Sequence, residues 1–341
     1  MEVMKILVTG GAGFIASHVT DAYLKAGHQV IVLDNFSSGR WENLGIQRPA
    51  AVESLQPGQT YTHEISPQLT VIAADITDRE NIKEIIAQHQ PEVLNLHAAH
   101  IQVGHSVEDP QFDATNNILG MLNILEAAKT LPQGHLKKVI FASTGGAMYG
   151  EQPTPFVETM KEQPLSPYGI SKRSGELYLH FYNYVHHFNY TVLRYANVYG
   201  ERQNPHGESG VIAIFMEQLA NGKIPFINGD GSHTRDYVYV GDVARANVLA
   251  LETPFIGALN IGTGREISTL QVFEAATKAL GIDAKPEFRA ERPGEQVTSS
   301  LNPAKAKQIL GWEPTVKFEE GVKKVGEWYK AGQPHLQLAD T

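Results

Sequence analysis

No cysteine occurs among the 341 residues, which excludes disulfides, thiolate metal ligation and a cysteine nucleophile together. No apolar run approaches the roughly 18–20 residues that a membrane-spanning helix needs. Low-complexity tracts are missing too, and a hydrophobic share of 42% marks a globular chain. Positive charge is not in excess: a formal net charge of −9 argues against nucleic acid as the main partner. The start runs directly into the strand-like Lys5-Ile6-Leu7-Val8, so neither a signal peptide nor a membrane partner is expected, and the setting is cytoplasmic. The 14 histidines are scattered, without ligand spacing, and no metal is expected.

What is present begins with Lys5–Thr9, a buried-strand pattern that runs into Gly10-Gly11-Ala12-Gly13-Phe14-Ile15-Ala16 and then an apolar-periodic helix to about Lys25. Strand, glycine turn and helix in that order let a backbone approach a pyrophosphate, with helix N–H groups aimed at it. A second strand, Gln29–Leu33, ends in Asp34, whose carboxylate is placed for an adenosine ribose diol and favours NAD over NADP. Arg40, close behind, is the one feature pointing the other way. Residues 35–68 read as a polar surface excursion with a short helix at Trp41-Glu42-Asn43-Leu44. A third strand over Thr70–Ala74 ends at Asp75-Ile76, a candidate adenine edge. A helix over Arg79–His89 leads to a fourth strand, Glu92–Leu96, with His97-Ala98-Ala99 leaving room for a nicotinamide ribose.

One long helix is predicted over Phe112–Lys129, apolar on more than one face, and a fifth strand over Lys138–Ala142 running into Ser143-Thr144-Gly145-Gly146. Tyr168 and Lys172, four apart, share a helix face, where an ammonium stabilises a phenolate and equips the tyrosine as a general base. Alone, such a pair is more often a half-buried tyrosine beside a solvated lysine; the order of features around it changes the reading. Residues 190–194 form a sixth strand, and the alternation predicts a doubly wound parallel α/β sheet, Rossmann-like. Beyond Gly200 a smaller mixed α/β lobe is expected, with helices at Val211–Asn221, Asp242–Leu251 and near 268–280, 303–310 and 318–330, and strands at Asp236–Val240 and Leu259–Gly262. The expected division is 1–200 for the dinucleotide and 201–332 for substrate, with some exchange of chain back to the first, then a flexible tail at 333–341. The apolar helices near 112–129 and 168–187 are a candidate homodimer seam.

This order of glycine turn, acidic residue, serine/threonine strand end and Tyr-x-x-x-Lys resembles the extended short-chain dehydrogenase/reductase superfamily. Asp34-Asn35-Phe36-Ser37-Ser38-Gly39, Arg194-Tyr195-Ala196-Asn197-Val198-Tyr199-Gly200, Asn204-Pro205-His206-Gly207-Glu208, Arg235-Asp236-Tyr237-Val238 and Arg292-Pro293-Gly294-Glu295 narrow the resemblance to the nucleotide-sugar epimerases typified by UDP-glucose 4-epimerase. The resemblance implies retained NAD, a UDP-sugar substrate and a transient 4-ketose. Tyr168 would take and return the 4-hydroxyl proton, Lys172 would lower the tyrosine pKa and hold the nicotinamide ribose, and Thr144 would hydrogen-bond the same sugar oxygen. Counting back from Tyr149 instead points to Gly145, which leaves Ser143 in reserve. Gly10, Gly13, Phe14, Ile15, Asp34, Asn35, Ser37, Ser38, Gly39, Asp75, Ile76, His97, Ala98, Ala99, Asn117, Tyr168, Lys172 and Tyr195 are the implied cofactor residues. Asn197, Val211, Arg235, Arg292 and Glu295 are implied for the nucleotide sugar. Ser299, where glucose-only relatives carry a tyrosine, leaves room for an N-acetyl group, and Arg202 is a candidate partner for a uronate carboxylate.

Three departures accompany the resemblance: Ala16 in place of a third glycine, a longer Ser143–Tyr149 turn, and the long excursion. Gly145-Gly146 stand where 4,6-dehydratases place an acid/base pair, which disfavours elimination. A UDP-glucuronate decarboxylase, a simple dehydrogenase and a catalytically silent NAD-binding regulator are the competing readings.

Overall fold

The computed structural model describes residues 2–54, 59–206, 210–291 and 296–333. In chain order the first elements are β1 (Lys5–Thr9), α1 (Phe14–Lys25), β2 (Gln29–Asp34), β3 (Tyr61–Ser66), β4 (Leu69–Ala73), α2 (Arg79–His89) and β5 (Val93–Leu96). There follow α3 (Val103–Glu108), α4 (Pro110–Ala114), a π-helical turn (Thr115–Leu119), α5 (Gly120–Ala128), β6 (Lys138–Thr144), α6 (Pro167–His186) and β7 (Tyr190–Tyr195). The remainder comprises β8 (Asn197–Tyr199), α7 (Val211–Ala220), β9 (Phe226–Asn228), β10 (Thr234–Tyr239), α8 (Val240–Glu252), β11 (Gly257–Ile261), β12 (Glu266–Ser268), α9 (Thr269–Leu280), β13 (Glu287–Arg289), α10 (Ala304–Leu310) and α11 (Phe318–Lys330).

The first strand is buried over Ile6-Leu7-Val8, as an unbroken aliphatic run in a sheet covered on both faces requires. It sits inside an eight-stranded sheet of order β11-β7-β6-β5-β1-β2-β4-β3. Every pairing in it is parallel except β3 with β4. Strand order reverses between β1 and β5, which opens a crevice at their C-terminal ends. On one face α1 and α8 bury Val19, Tyr23, Val243 and Ala246 against the sheet. On the other, α2, α5 and α6 bury Ile82, Ile86, Ile124, Leu125 and Leu179. A further core of Ile212, Phe215, Phe273 and Val322 belongs to α7, α9 and α11, beside the small sheets β12-β10-β8 and β13-β9. The chain returns from there to the main sheet, where β11 pairs with β7.

Two expectations need correction. The 35–68 excursion carries 3-10 turns at Trp41–Leu44 and Ala50–Ser54 and then β3, the antiparallel edge strand. The alternating exposure of Tyr61-Thr62-His63-Glu64 is the strand signal that its polarity concealed. The long helix over 112–129 begins instead at Pro110, capped by Asp109, and passes through the π-helical turn before α5. One extra residue in that turn re-aims Asn117 inward, a common use of a π-bulge. A hydrophobic period cannot register such an insertion. Among the described residues no helix is long and apolar enough to cross a membrane, and no group of three or more acidic or histidine side chains could hold a metal ion.

Candidate active site

Gly10 has a φ of +67°, and a Cβ there would stand 2.9 Å from the Ala98 backbone. The glycine turn of β1 therefore lies directly on the chain leaving β5, where Ala98 and Ala99 are half-buried. Gly13 caps α1 without a side-chain hydrogen bond, so the first-turn amides of Phe14 and Ile15 are left for a ligand. Asp34 is 6% exposed and accepts from the Ala12 amide (2.9 Å) and the Phe36 amide (2.8 Å). Burial lifts its carboxyl to about 6, against the pull of those two donors. Gly39 closes over it, since a Cβ there would come within 2.8 Å of both carboxylate oxygens. Beside it, Asn35 donates to Asp75 (2.9 Å) and accepts from the Ser37 amide (3.0 Å), with Ser37 and Ser38 exposed. Ile76 is buried, its carbonyl held by Asn123 (2.9 Å). A side-chain-free approach, open helix amides and a buried carboxylate fit the diphosphate and ribose of a dinucleotide.

At the end of β6 successive side chains point to opposite faces. Ser143 donates to Glu176 at 2.7 Å, inside a buried network in which Arg194 holds both oxygens of Glu176 (2.9 and 2.5 Å) and one of Glu162 (2.7 Å). Ser143 is thereby withdrawn as a reserve catalytic hydroxyl. Thr144 faces the other way, accepts from the Ala147 amide (3.2 Å) and is the hydrogen-bonding neighbour of the Tyr168 phenol. The Gly145–Ala147 turn meets α6 closely, because a Cβ on Gly169 would stand 2.6 Å from the Ala147 carbonyl. Ser166 caps α6 through the Gly169 amide (3.1 Å), with Pro167 in the first turn.

Enclosure pushes the Tyr168 phenol well above the ordinary tyrosine range; the Asp113 carboxylate adds to this and Thr144 opposes it. Lys172 is 4% exposed, donates to the Ala142 carbonyl at 2.9 Å and lies over the Phe141 ring. Burial draws it down to about 8, opposed by Asp113 and Glu176. The helix spacing puts the pair on one face, and desolvation is the largest influence on each. His97 bonds Asn95 through Nδ1 and the Tyr195 hydroxyl through Nε2 (3.1 Å), and burial drives it to about 3, with Lys172 adding to the fall. Tyr195 also receives the Asn247 amide (2.8 Å), so its hydroxyl faces the core. Asn117 grips His100 through both backbone groups (2.7 and 2.9 Å) and donates to Asp113 (2.9 Å) and Ser171 (3.2 Å). It clamps the loop after β5.

On the substrate side, a Cβ on Gly145 would strike Leu301 at 2.3 Å, whereas one on Gly146 would meet only Asn197 Oδ1 (3.8 Å) and Ser299 Oγ (4.0 Å). Gly146, Asn197 and Ser299, far apart in sequence, line one space. Val211 opens α7 half-buried, and Arg235 on β10 bonds only the Thr234 carbonyl (2.7 Å) among the described residues. Arg202 is paired with Asp21 on α1 at 2.8 Å, beside His18, which binds the Glu201 carbonyl. The guanidinium braces its loop through Nη2, while its buried Nη1 has no hydrogen-bond partner among the described residues. Arg292 and Glu295 lie outside the described residues. Sequence reasoning passed over Asp113, Glu176 and the Arg194 pair; the signal was a charge set among apolar helix and strand residues.

A profile of the family described as GDP-mannose 4,6 dehydratase matches residues 7–325. The UDP-glucose 4-epimerase of Mycolicibacterium smegmatis is 41% identical over 329 residues, 96% of this chain and 99% of that protein. The solved structure of UDP-glucose 4-epimerase from Thermotoga maritima with UDP-glucose matches with a TM-score of 0.85 at 43% identity, covering 96% of this chain and 99% of that one. That of the Thermus thermophilus UDP-glucose 4-epimerase in complex with NAD matches with a TM-score of 0.83 at 39% identity, covering 96% and 99%.

Proposed function

This chain belongs to the GDP-mannose 4,6 dehydratase family of NAD-dependent epimerases and dehydratases, and from that membership we propose its reaction and the residues that perform it. It is an NAD-dependent UDP-sugar 4-epimerase, and UDP-glucose/UDP-galactose is the first pair. The observation that carries epimerisation over elimination is Gly145, packed against Leu301 with no room for a side chain, next to Thr144 on the Tyr168 phenol.

NAD, when bound, supplies the hydride acceptor and donor at sugar C4. Gly10, Gly13, Phe14 and Ile15 hold its diphosphate, and Asp34 holds the adenosine ribose. Tyr168 takes the 4-hydroxyl proton and later returns it, so no second acid or base is needed. An enclosed phenol resists ionisation; the Lys172 ammonium one turn away is the chain's own counter-charge. Thr144 donates to the same oxygen. Gly146, Ser299 and Asn197 leave space for the flat 4-ketose to turn over, and the same small residues admit an N-acetylated sugar. Arg235 meets the diphosphate. Residues 1–200 form the dinucleotide unit, to which α8, β11 and α10 return from the 201–332 substrate lobe. A second copy of the chain covers α4–α5 and α6, where Leu119, Ile170, Leu177, Phe181 and Tyr184 stand exposed.

Purified protein incubated with UDP-glucose, without added NAD, should form UDP-galactose, read from the anomeric proton by NMR. Tyr168→Phe should lower the rate by about 10²–10⁴-fold while NAD released on denaturation stays the same. Turnover of UDP-N-acetylglucosamine alone would move the assignment to the hexosamine. Failure on both, with NAD bound, would overturn it.

A further inference from the structure

Asp113 is a carboxylate only 1% exposed, on α4, and none of the residues so far given a role at the sugar includes it. It faces the catalytic turn of the neighbouring helix. The Asn117 amide donates to its Oδ1 at 2.9 Å and to the Ser171 hydroxyl at 3.2 Å. The Ser171 hydroxyl in turn sits between the Tyr168 carbonyl (2.9 Å) and the Asp113 carboxylate. The link thus runs from the π-helical turn to the residue before Lys172. Asp113 has no ion pair among the described residues, and burying a carboxylate against an amide and a hydroxyl is costly for folding alone.

We propose that Asp113 is a positioning residue of the reaction, a buried anion held against the Tyr168–Lys172 turn of the neighbouring helix by Asn117 and Ser171, whose charge acts on that pair without touching the sugar. The role rests on the epimerase reading for its consequence in turnover, and on the geometry for its existence. The titratable groups facing Asp113 are His100 on the loop after β5, with His105 on α3 behind it, and Tyr168 and Lys172 on α6. Lys172 is faced also by Glu176 on its own helix and by His97. A negative charge beside an ammonium favours the charged lysine, and beside a phenol it disfavours the phenolate. Asp113 therefore keeps Lys172 a cation at neutral pH and makes Tyr168 a stronger base once ionised.

The test is Asp113→Asn, which keeps the shape and an acceptor for Asn117 but removes the charge. In the wild type, turnover needs the Tyr168 phenolate and the Lys172 ammonium together, so the two limbs of the kcat/KM profile should report the proton affinities of this pair, that of Lys172 lying near 8. Removing the anion lowers both proton affinities, so both limbs should move to lower pH by about one unit. Ser171→Ala removes a hydroxyl and no charge, and its limbs should stay in place. Independently of turnover, ¹³C-labelled lysine NMR reads the Lys172 signal, assigned by its loss in Lys172→Met, and its midpoint should fall by about one unit in Asp113→Asn.

Burial holds the Asp113 carboxyl above the ordinary carboxylate range, so the folded chain binds that proton more tightly than the unfolded one. Stability then falls as pH rises through this window, and Asp113→Asn should melt no lower than the wild type at pH 8. Unmoved limbs and an unmoved Lys172 midpoint, or an equal shift in Ser171→Ala, would overturn the inference. A wild type that binds NAD but epimerises no UDP-sugar would sink the function, with the Lys172 midpoint still deciding the role of Asp113.

Discussion

At the end of β6 two hydroxyls one residue apart have unlike surroundings: Ser143 is 4% exposed and bonded to Glu176, while Thr144 meets the phenol of Tyr168. Thr144→Val should lower kcat by about 10–100-fold, a hydrogen bond made at the reacting oxygen. Because Thr144 pulls the phenol down, its loss raises that group, and the limb of the pH–rate profile that Tyr168 sets should move to higher pH. Ser143→Ala should keep kcat and lose about 1 kcal/mol in urea denaturation. Equal losses of kcat in the two variants would refute the division of roles. Types and spacings made Tyr168, Lys172 and Asp34 stand out in the chain, because each answers to a local motif, while the hydroxyl was narrowed only to the Ser143-Thr144 strand end. Asp113 was not legible, since its meaning lies in the charge on the next helix.

Helix α6 carries Tyr168, Lys172 and Glu176 at successive steps of four, one face of a helix. The first two carry the proposed chemistry and the third is an anchor, through Arg194 on β7, itself 2% exposed. Glu176→Gln leaves that guanidinium with Glu162 and an amide, and should cost about 3 kcal/mol by urea denaturation, as broken buried pairs do. A change within about 0.5 kcal/mol, the range of an exposed pair, would show that the network does not hold α6. At this scale most strands of the main sheet and the helices beside them followed from periodicity, and the structure shows α2 and α6 starting on the caps Asp78 and Ser166. Edge strand β3 and the π-helical turn escaped, the one because its exposed face is polar, the other because one inserted residue leaves the apolar pattern nearly unchanged.

In the whole molecule the exposed stripe Ile170, Leu177, Phe181 and Tyr184, the last 80% exposed, repeats at helical spacing on α6 with Leu119 beside it. Light scattering should give a dimer for the wild type and a monomer for the double variant Phe181→Glu, Tyr184→Glu, with NAD still bound. A wild-type monomer would remove the seam. At the same scale Asp236 on β10 receives the amides of Thr263 (3.0 and 2.9 Å), Gly264 (3.0 Å) and Leu301 (3.1 Å), so one carboxylate ties β10 to the segment that follows β11 and to the one that precedes α10.

The chain by itself determined the doubly wound sheet, the glycine turn and the tyrosine–lysine helix, because these depend on contacts within a few residues and on periodicities that burial imposes. It determined the cofactor class for the same reason: a glycine turn between strand and helix, followed by a terminal aspartate, has one geometry. Tertiary structure alone decided which hydroxyl meets the phenol, that Arg202 is held by Asp21, and that Gly146, Asn197 and Ser299 share one space. It also brought Asp113 beside the tyrosine and the lysine. Those outcomes depend on which faces of distant elements come together, and on how much water is removed between them, quantities that no local spacing carries.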